Sequence, residues 1–229
     1  MKANRLVLLA LAGAVTFGLT GCQSGNRAAE VGGDVITTSD VDFLTRMQCD
    51  AIADAAKDPA QADQVQQIST RQVRTQMVNA LVQAALNRQL ADKTGADYDR
   101  ATYRQVMDQF EPAVQAAPKK DRERFRDLVG SFYRGQLEVY TVAQRKMAEA
   151  GIAQPTDQEV QDAVTAVQED FRKSVDIDIN PVYGPDAAGV AGAVEPSLSL
   201  AVSDFAKQSS AAEPAPTFIA RLPKNMRCG

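Results

Sequence analysis

From Ser39 onward, apolar residues recur three and four positions apart through most of the chain, the period of helices with one buried face. Before that point the pattern differs. Leu6 to Leu19 is an apolar run diluted by alanine and glycine, and Ala28 to Thr37 reads as two very short strands around the Gly32-Gly33 turn. A first helix follows, with Ser39 as its cap, Asp40 and Asp42 in its first turn, and Val41, Leu44, Met47 and Ile52 on one face, ending before Asp58-Pro59. A second, from about Ala60 to Lys93, carries Val65, Ile68, Val73, Met77, Leu81 and Ala84 at helical spacing and stops at Gly95. At 1.5 Å per residue it would be roughly 50 Å long, so the spacing predicts an elongated shape. Asp97 or Asp99 caps a third helix with Tyr103, Val106, Met107, Phe110 and Val114, closed by Pro118. A fourth runs from Lys119 to Ala150 with Phe125, Leu128, Val129, Phe132, Tyr133, Leu137, Tyr140 and Met147. Its Gly130 and Gly135 allow a bend or the close approach of another helix. Thr156 and Glu159 form a capping box opening a fifth helix through Val160, Val164, Val167 and Phe171.

The pattern then changes. Val175 to Ile179 alternates apolar and polar, a strand stopped by Asn180-Pro181. Gly184 to Pro196 is a Gly, Ala and Pro-rich loop. Leu198 to Lys207 has the pattern of a short helix, Gln208 to Thr217 that of a linker, and Phe218 to Gly229 that of a tail. No repeat of fixed period is present.

Composition narrows the chemistry. The 229 residues contain no histidine and no tryptophan. Without imidazole, Ser-His-Asp or Cys-His catalysis and histidine metal sites are excluded. With 25 basic against 29 acidic residues the chain is net negative, which excludes the basic surface that nucleic acid requires. No motif implies a cofactor. The Asp40, Asp42, Asp50, Asp54 and Asp58 series reads as a solvated helix face, with a cation or a basic peptide as the alternative ligand. The mixed-sign run Lys119 to Arg124 reads as an exposed helix start.

The opening residues carry an address. Lys2 and Arg5 precede the apolar run, which is too short and too glycine-interrupted to span a membrane, and it ends in Leu19-Thr20-Gly21-Cys22. This resembles a bacterial lipoprotein signal peptide, which implies removal of residues 1–21 and acylation of Cys22. An ordinary secretory signal with a chance cysteine is the alternative. Cleavage removes two bases and no acid, making the mature chain more negative. Lipid on Cys22 would hold the protein on the outer face of the cytoplasmic membrane, within the cell envelope. The two remaining cysteines, Cys49 and Cys228, form an even pair in an exported chain and so predict a disulfide from the first helix to the tail. Closing a loop of roughly 180 residues contributes at most roughly 5 kcal/mol in the chain-entropy view. A redox-active pair is the alternative, without C-x-x-C spacing to favour it.

The stretch Val31-Gly32-Gly33-Asp34-Val35-Ile36-Thr37-Thr38-Ser39-Asp40-Val41-Asp42 resembles the opening of the SurA-type peptidyl-prolyl isomerase and chaperone N-terminal domain. Pro155-Thr156-Asp157-Gln158-Glu159-Val160 is similar to the start of the helix that precedes the isomerase module in that family. Over residues 28–172 the helices follow in the family's order. Asp178 to Gly184 and the end of the chain, Leu222-Pro223 with Cys228-Gly229, look most like actinobacterial SurA-N-like lipoproteins. The resemblance implies a mainly α fold, an elongated SurA-N-like domain of about five helices over 29–183. A small β element would come from the N-terminal hairpin and the strand near 175–180. The domain would lie between a tether at 22–28 and an irregular C-terminal tail at 184–229 pinned by the disulfide. A parvulin isomerase module needs a histidine-containing core and a Gly-Gly-Asp-Leu-Gly type turn. Neither is present after Val160, so the expectation is a binding protein without catalytic activity.

The function expected is therefore that of a membrane-anchored extracytoplasmic chaperone that holds unfolded or exported polypeptides. The candidate contact residues are Met77, Met107, Phe110, Phe132, Tyr133 and Tyr140, though a stripe at helical spacing also suits a core. An envelope lipoprotein scaffolding or binding one dedicated partner is the alternative, and a degenerate isomerase the second.

Overall fold

The computed structural model describes residues 26–60, 62–183, 203–211 and 214–229. The expected leader 1–21, Cys22 and the loop expected from Gly184 to Pro196 lie outside the described residues, as does the start of the short helix expected from Leu198. The fold is mainly α. Among the described residues, seven helices, two of them short, surround one three-stranded sheet and one two-stranded ribbon.

The sheet has the order β2-β1-β4, with β1 (Arg27–Val31) paired antiparallel to β2 (Asp34–Thr37) on one side and to β4 (Ile177–Ile179) on the other. The β1–β2 connection is the two-residue turn Gly32-Gly33, both with positive φ (53° and 92°). That is the mirror-image geometry whose twist matches a hairpin. As the central strand, β1 has Ala28, Ala29 and Val31 wholly buried. They join Val41, Val78, Val82, Leu86 and Ile179 in the main core cluster.

Helix α1 (Thr38–Ala55) begins earlier than expected. Thr37, not Ser39, is its cap, because the Thr37 hydroxyl accepts from the Asp40 amide while its own hydrogen reaches the Asp40 carboxylate. Helix α2 (Thr70–Thr94) is shorter than the continuous helix expected from Ala60. Its start is fixed at Ser69, which forms a reciprocal capping box with Gln72. Ile68–Ser69 is drawn off as strand β3 against β5 (Arg227–Cys228). The expected length of roughly 50 Å is thereby cut to about 38 Å at the usual helical rise. Gly95 closes α2 in the left-handed conformation, as expected.

Helix α3 (Arg100–Ala116) is capped by Asp99, whose carboxylate accepts the Ala101 and Thr102 amides. Pro112 lies inside it without ending it. Helix α4 (Arg122–Glu149) follows a single 3-10 turn at Lys119–Asp121, and α5 (Asp157–Arg172) starts on the expected Thr156–Glu159 capping box. From residue 203 on, the stretch expected to be a linker contains part of a short helix α6 (Asp204–Ser210) and the start of one helical turn α7 (Pro216–Ile219), and the last residues pair as β5.

Helix α4 runs through the molecule and meets α3 near its start and α2 and α5 further along. Gly135 lets α2 approach: a Cβ there would stand 3.0 Å from Cβ of the buried Asn87. Val139, Val142, Ala143 and Leu90 form the second core cluster with Val167 of α5.

Candidate functional site

Two surfaces stand apart from this core. The first is the seam between α3 and the first half of α4. An amphipathic helix with one neighbour cannot cover its whole apolar stripe. On α3 only Val114 is fully buried, while Tyr103, Val106, Met107 and Phe110 remain half-exposed. Opposite them, Leu128, Val129, Phe132 and Tyr133 are half-exposed too. The rings touch in the offset and edge-on arrangements that aromatic pairs favour. The Phe110 and Tyr133 centroids are 4.8 Å apart. Phe132 meets Tyr133 edge-on at 5.3 Å. Burial pushes the Tyr133 phenol above its usual range. Gly130 brings the helices together, since a Cβ there would come within 2.6 Å of the Tyr103 hydroxyl and 3.7 Å of the Met107 methyl. The Arg134 guanidinium lies 5.3 Å from the Tyr98 ring centroid. It lies 5.9 Å from that of Tyr103. A cation over two ring faces gives the seam a positive rim. Across the interface Arg126 bonds Glu111, and Glu111 also accepts from Gln115. The Gln115 bond first, then Arg126, hold its carboxyl below the ordinary range.

Of the residues singled out in the sequence, the structure therefore brings Met107, Phe110, Phe132 and Tyr133 into one seam. Tyr140 lies two turns along the same face of α4 and is exposed. Met77 lies elsewhere, packed part-buried against the sheet core. The long helices α2 and α4 approach each other closely at Gly135, beside the buried Asn87.

The second surface is a cavity of about 540 Å³ at the N-terminal ends of α1 and α2, roofed by the C-terminal segment. Thr38, Asp42, Thr70, Arg71 and Arg74 line it from the body, and Phe218, Leu222 and Met226 from the tail. Val182 and Tyr183 complete the rim. Arg74 bonds Asp42 at 2.6 Å, while Arg71 donates to the Ser209 carbonyl. Burial raises the Tyr183 phenol, with Asp42 adding to the effect and Arg74 opposing it. The tail is fastened beside this cavity: Cys49 in α1 and Cys228 in β5 stand at disulfide distance, their Cα atoms 4.7 Å apart. The sequence pattern presents the tail as merely pinned and does not reveal that it forms a wall. The signal for it lies in composition, with Phe218, Ile219, Leu222 and Met226 among Arg221, Lys224 and Arg227 and no acid.

The acidic series of α1 is not a shared site. Asp40 pairs with Arg124 of α4, Asp42 with Arg74 of α2, and Asp54 with Lys57, so the carboxylates are committed to different neighbours. Among the described residues no group of three acidic or sulfur ligands is placed to hold a metal, and no helix is long and apolar enough to cross a membrane.

No curated protein and no solved structure matches this chain. A family match does exist: residues 3–133, from the N-terminal apolar run to Tyr133 on the seam, fit the SurA-like N-terminal domain. The capping box of α5 and the tail lie beyond it. The matched domain is the chaperone-type module of that family, not its catalytic one. Since the match takes in more than half of the chain, this protein belongs to the SurA-like N-terminal domain family.

Proposed function

We propose that the protein is a lipid-anchored chaperone of the cell envelope that holds unfolded or exported polypeptides without isomerising them. Residues 1–21 act as its leader, Cys22 bears the lipid, and Cys49–Cys228 is a structural bridge that keeps the tail in place. The domain of residues 29–183 does the binding. The observation that carries the reading is the α3–α4 seam, where Met107, Phe110, Phe132 and Tyr133 are gathered yet only half-covered. Aromatic and thioether side chains adapt to many apolar sequences, which is what a holder of varied clients needs. Tyr140 extends that surface along α4, and Met77 serves the core. The family membership supports polypeptide binding as the class of activity.

The test is aggregation of a reduced model client, followed by light scattering. The protein is expected to suppress scattering at stoichiometric amounts, and Phe110→Ser with Tyr133→Ser to abolish the effect while circular dichroism stays helical. Unchanged scattering at large excess would overturn the reading. Recovery from membranes of one stoichiometric partner, in place of a spread of clients, would shift it to a dedicated scaffold. A proline-peptide assay is expected to show no isomerase activity.

A further inference from the structure

We propose that the tail face, around the cavity of Arg71, Val182 and Met226, docks on an anionic phospholipid surface. For its location this rests on the proposed lipid at Cys22; its chemistry is independent of that lipid.

Charge is the first observation. The chain as a whole is acidic, yet residues 216–229 carry Arg221, Lys224 and Arg227 and no acid. In the body Arg27, Arg46, Arg74, Arg88, Arg124 and Arg126 each lie within 3.1 Å of a carboxylate. Among the described residues Arg71, Arg221, Lys224 and Arg227 form no ion pair, as is also true of body cations such as Arg100, Arg104 and Arg134; what sets the tail apart is that residues 216–229 contain cations and no acid at all. The three arginines of the tail face donate only to neutral oxygens, Arg71 to Ser209, Arg221 to Thr217, and Arg227 to Gln67 and Ala220. The positive charge of the tail is thus not offset by any acid within residues 216–229.

Exposed apolar area is the second. Val182 is 69% exposed, Phe205 53% and Met226 41%. Val182 and Met226 rim the same cavity, and the Phe205 ring lies 5.4 Å from Phe218, which lines it. Scattered apolar residues on a surface need no explanation, but apolar residues gathered around a cavity that Arg71 lines, on a tail carrying three further cations, match the surface that binds an anionic bilayer interface.

Position is the third. Thr38, which lines the cavity, donates to the side chain of Asn26 at 2.8 Å. Asn26 stands four positions after Cys22. A chain segment of that length reaches at most about 14 Å when fully extended. A lipid on Cys22 would thus hold this face against the bilayer. A lipid chain combined with a basic patch is also the pairing that turns marginal membrane contact into a stable one. The seam would then stay available to clients.

The absence of tryptophan supplies the experiment. Val182→Trp and Met226→Trp each create a single fluorophore on the face, and Ile152→Trp, at the α4–α5 turn, is the control. The full-length protein purified from membranes is reconstituted into phosphatidylcholine vesicles with and without phosphatidylglycerol, using brominated acyl chains as quencher. Emission from the 182 and 226 reporters is expected to shift to the blue and to be quenched several-fold more with phosphatidylglycerol, and that from the 152 reporter to stay unchanged. High salt, or Arg221→Gln, Lys224→Gln and Arg227→Gln together, should remove the difference, since the attraction is screened within a Debye length. Vesicle-bound protein with no shift at 182 and 226, or an equal shift without phosphatidylglycerol, overturns the proposal. A shift produced by poly-glutamate but not by vesicles also overturns it and makes the face a polypeptide site. The mass of the Cys22 peptide judges the anchor separately: an unmodified Cys22 with the phosphatidylglycerol shift intact would remove the anchor and leave the docking face standing.

Discussion

The two halves of α4 carry similar side chains into different surroundings. From Gly135 to Met147 the helix runs between α2 and α5, and Val139, Val142, Ala143 and Met147 are all buried. From Phe125 to Tyr133 it meets α3 and, toward its start, α1, where Phe125 and Leu128 pack on Phe43, Met47 and Ala117. Yet every large apolar residue of this half, aromatic rings included, remains half-exposed. The first half has the bulkier side chains and the poorer burial. What decides burial along this helix is how extensively its neighbours cover it, and the difference separates a part that holds the fold from a part free to hold something else.

Truncation on the two sides should break this comparison most visibly. Leu90→Ala, in the cluster under the second half of α4, is expected to cost about 3 kcal/mol, as in other well-packed cores. Phe132→Ala removes more atoms but from a half-exposed ring, and is expected to cost only about 1 kcal/mol. Denaturant unfolding of both variants checks the order; an equal or larger loss for Phe132→Ala would mean that the seam is core after all.

The two glycines of α4 sharpen the same contrast with smaller effects. Gly135→Ala pushes a methyl onto the Cβ of the buried Asn87, with the α2 backbone behind it. About 1–3 kcal/mol should be lost to such overpacking. Gly130→Ala meets the Tyr103 hydroxyl, the tip of a half-exposed side chain that has room to swing away. Replacing a helical glycine gains about 1 kcal/mol of propensity, so the net change there should be near zero. Thermal unfolding of the pair separates them; a larger loss at Gly130 would reverse the assignment of rigid and yielding halves.

How much of this is legible in the sequence depends on whether the deciding contact is local. The Gly32-Gly33 turn, the Thr156–Glu159 box and Gly95 are fixed by residues within four positions, and each stands where the pattern places it. The start of α1 lies two residues before the expected one because Thr37, Thr38 and Ser39 all offer a capping hydroxyl, and pairing of Thr37 with Arg27 across the sheet makes the choice. The pattern overextends α2 because Val65 and Ile68 continue its period. Ile68 is apolar for another reason, since it pairs with Cys228 at the far end of the chain. The same separation hides the tail cavity, whose walls come from residues 38–74 and 182–226. The seam residues are legible as a stripe, but their half-burial follows from α3 having so few partners, which no periodicity reports.

The smallest expected effect concerns the carboxylates that clip each region. In the packed part, Asp34 on the hairpin accepts from Gln89 and Arg88 of α2, both at 2.7 Å. The Gln89 bond first, then Arg88, hold its carboxyl below the usual aspartate range. Across the seam, Glu111 is lowered by Gln115 and Arg126 in the same way. A carboxyl depressed on folding contributes stability that is fully present above its unfolded value, about 3.9 for aspartate, and that is lost as pH falls through the lower folded value. Asp34→Asn should therefore leave stability almost unchanged at acid pH and lower it toward neutral pH by under about 1 kcal/mol, the discounted worth of a partly exposed pair. Glu111→Gln should leave the global transition alone and show itself as faster amide exchange in α3, because a clip between two poorly covered helices opens locally. If Glu111→Gln instead flattened the pH dependence of global unfolding and Asp34→Asn did not, the seam would be folding as one unit with the core, and the distinction between the two halves of α4 would fail.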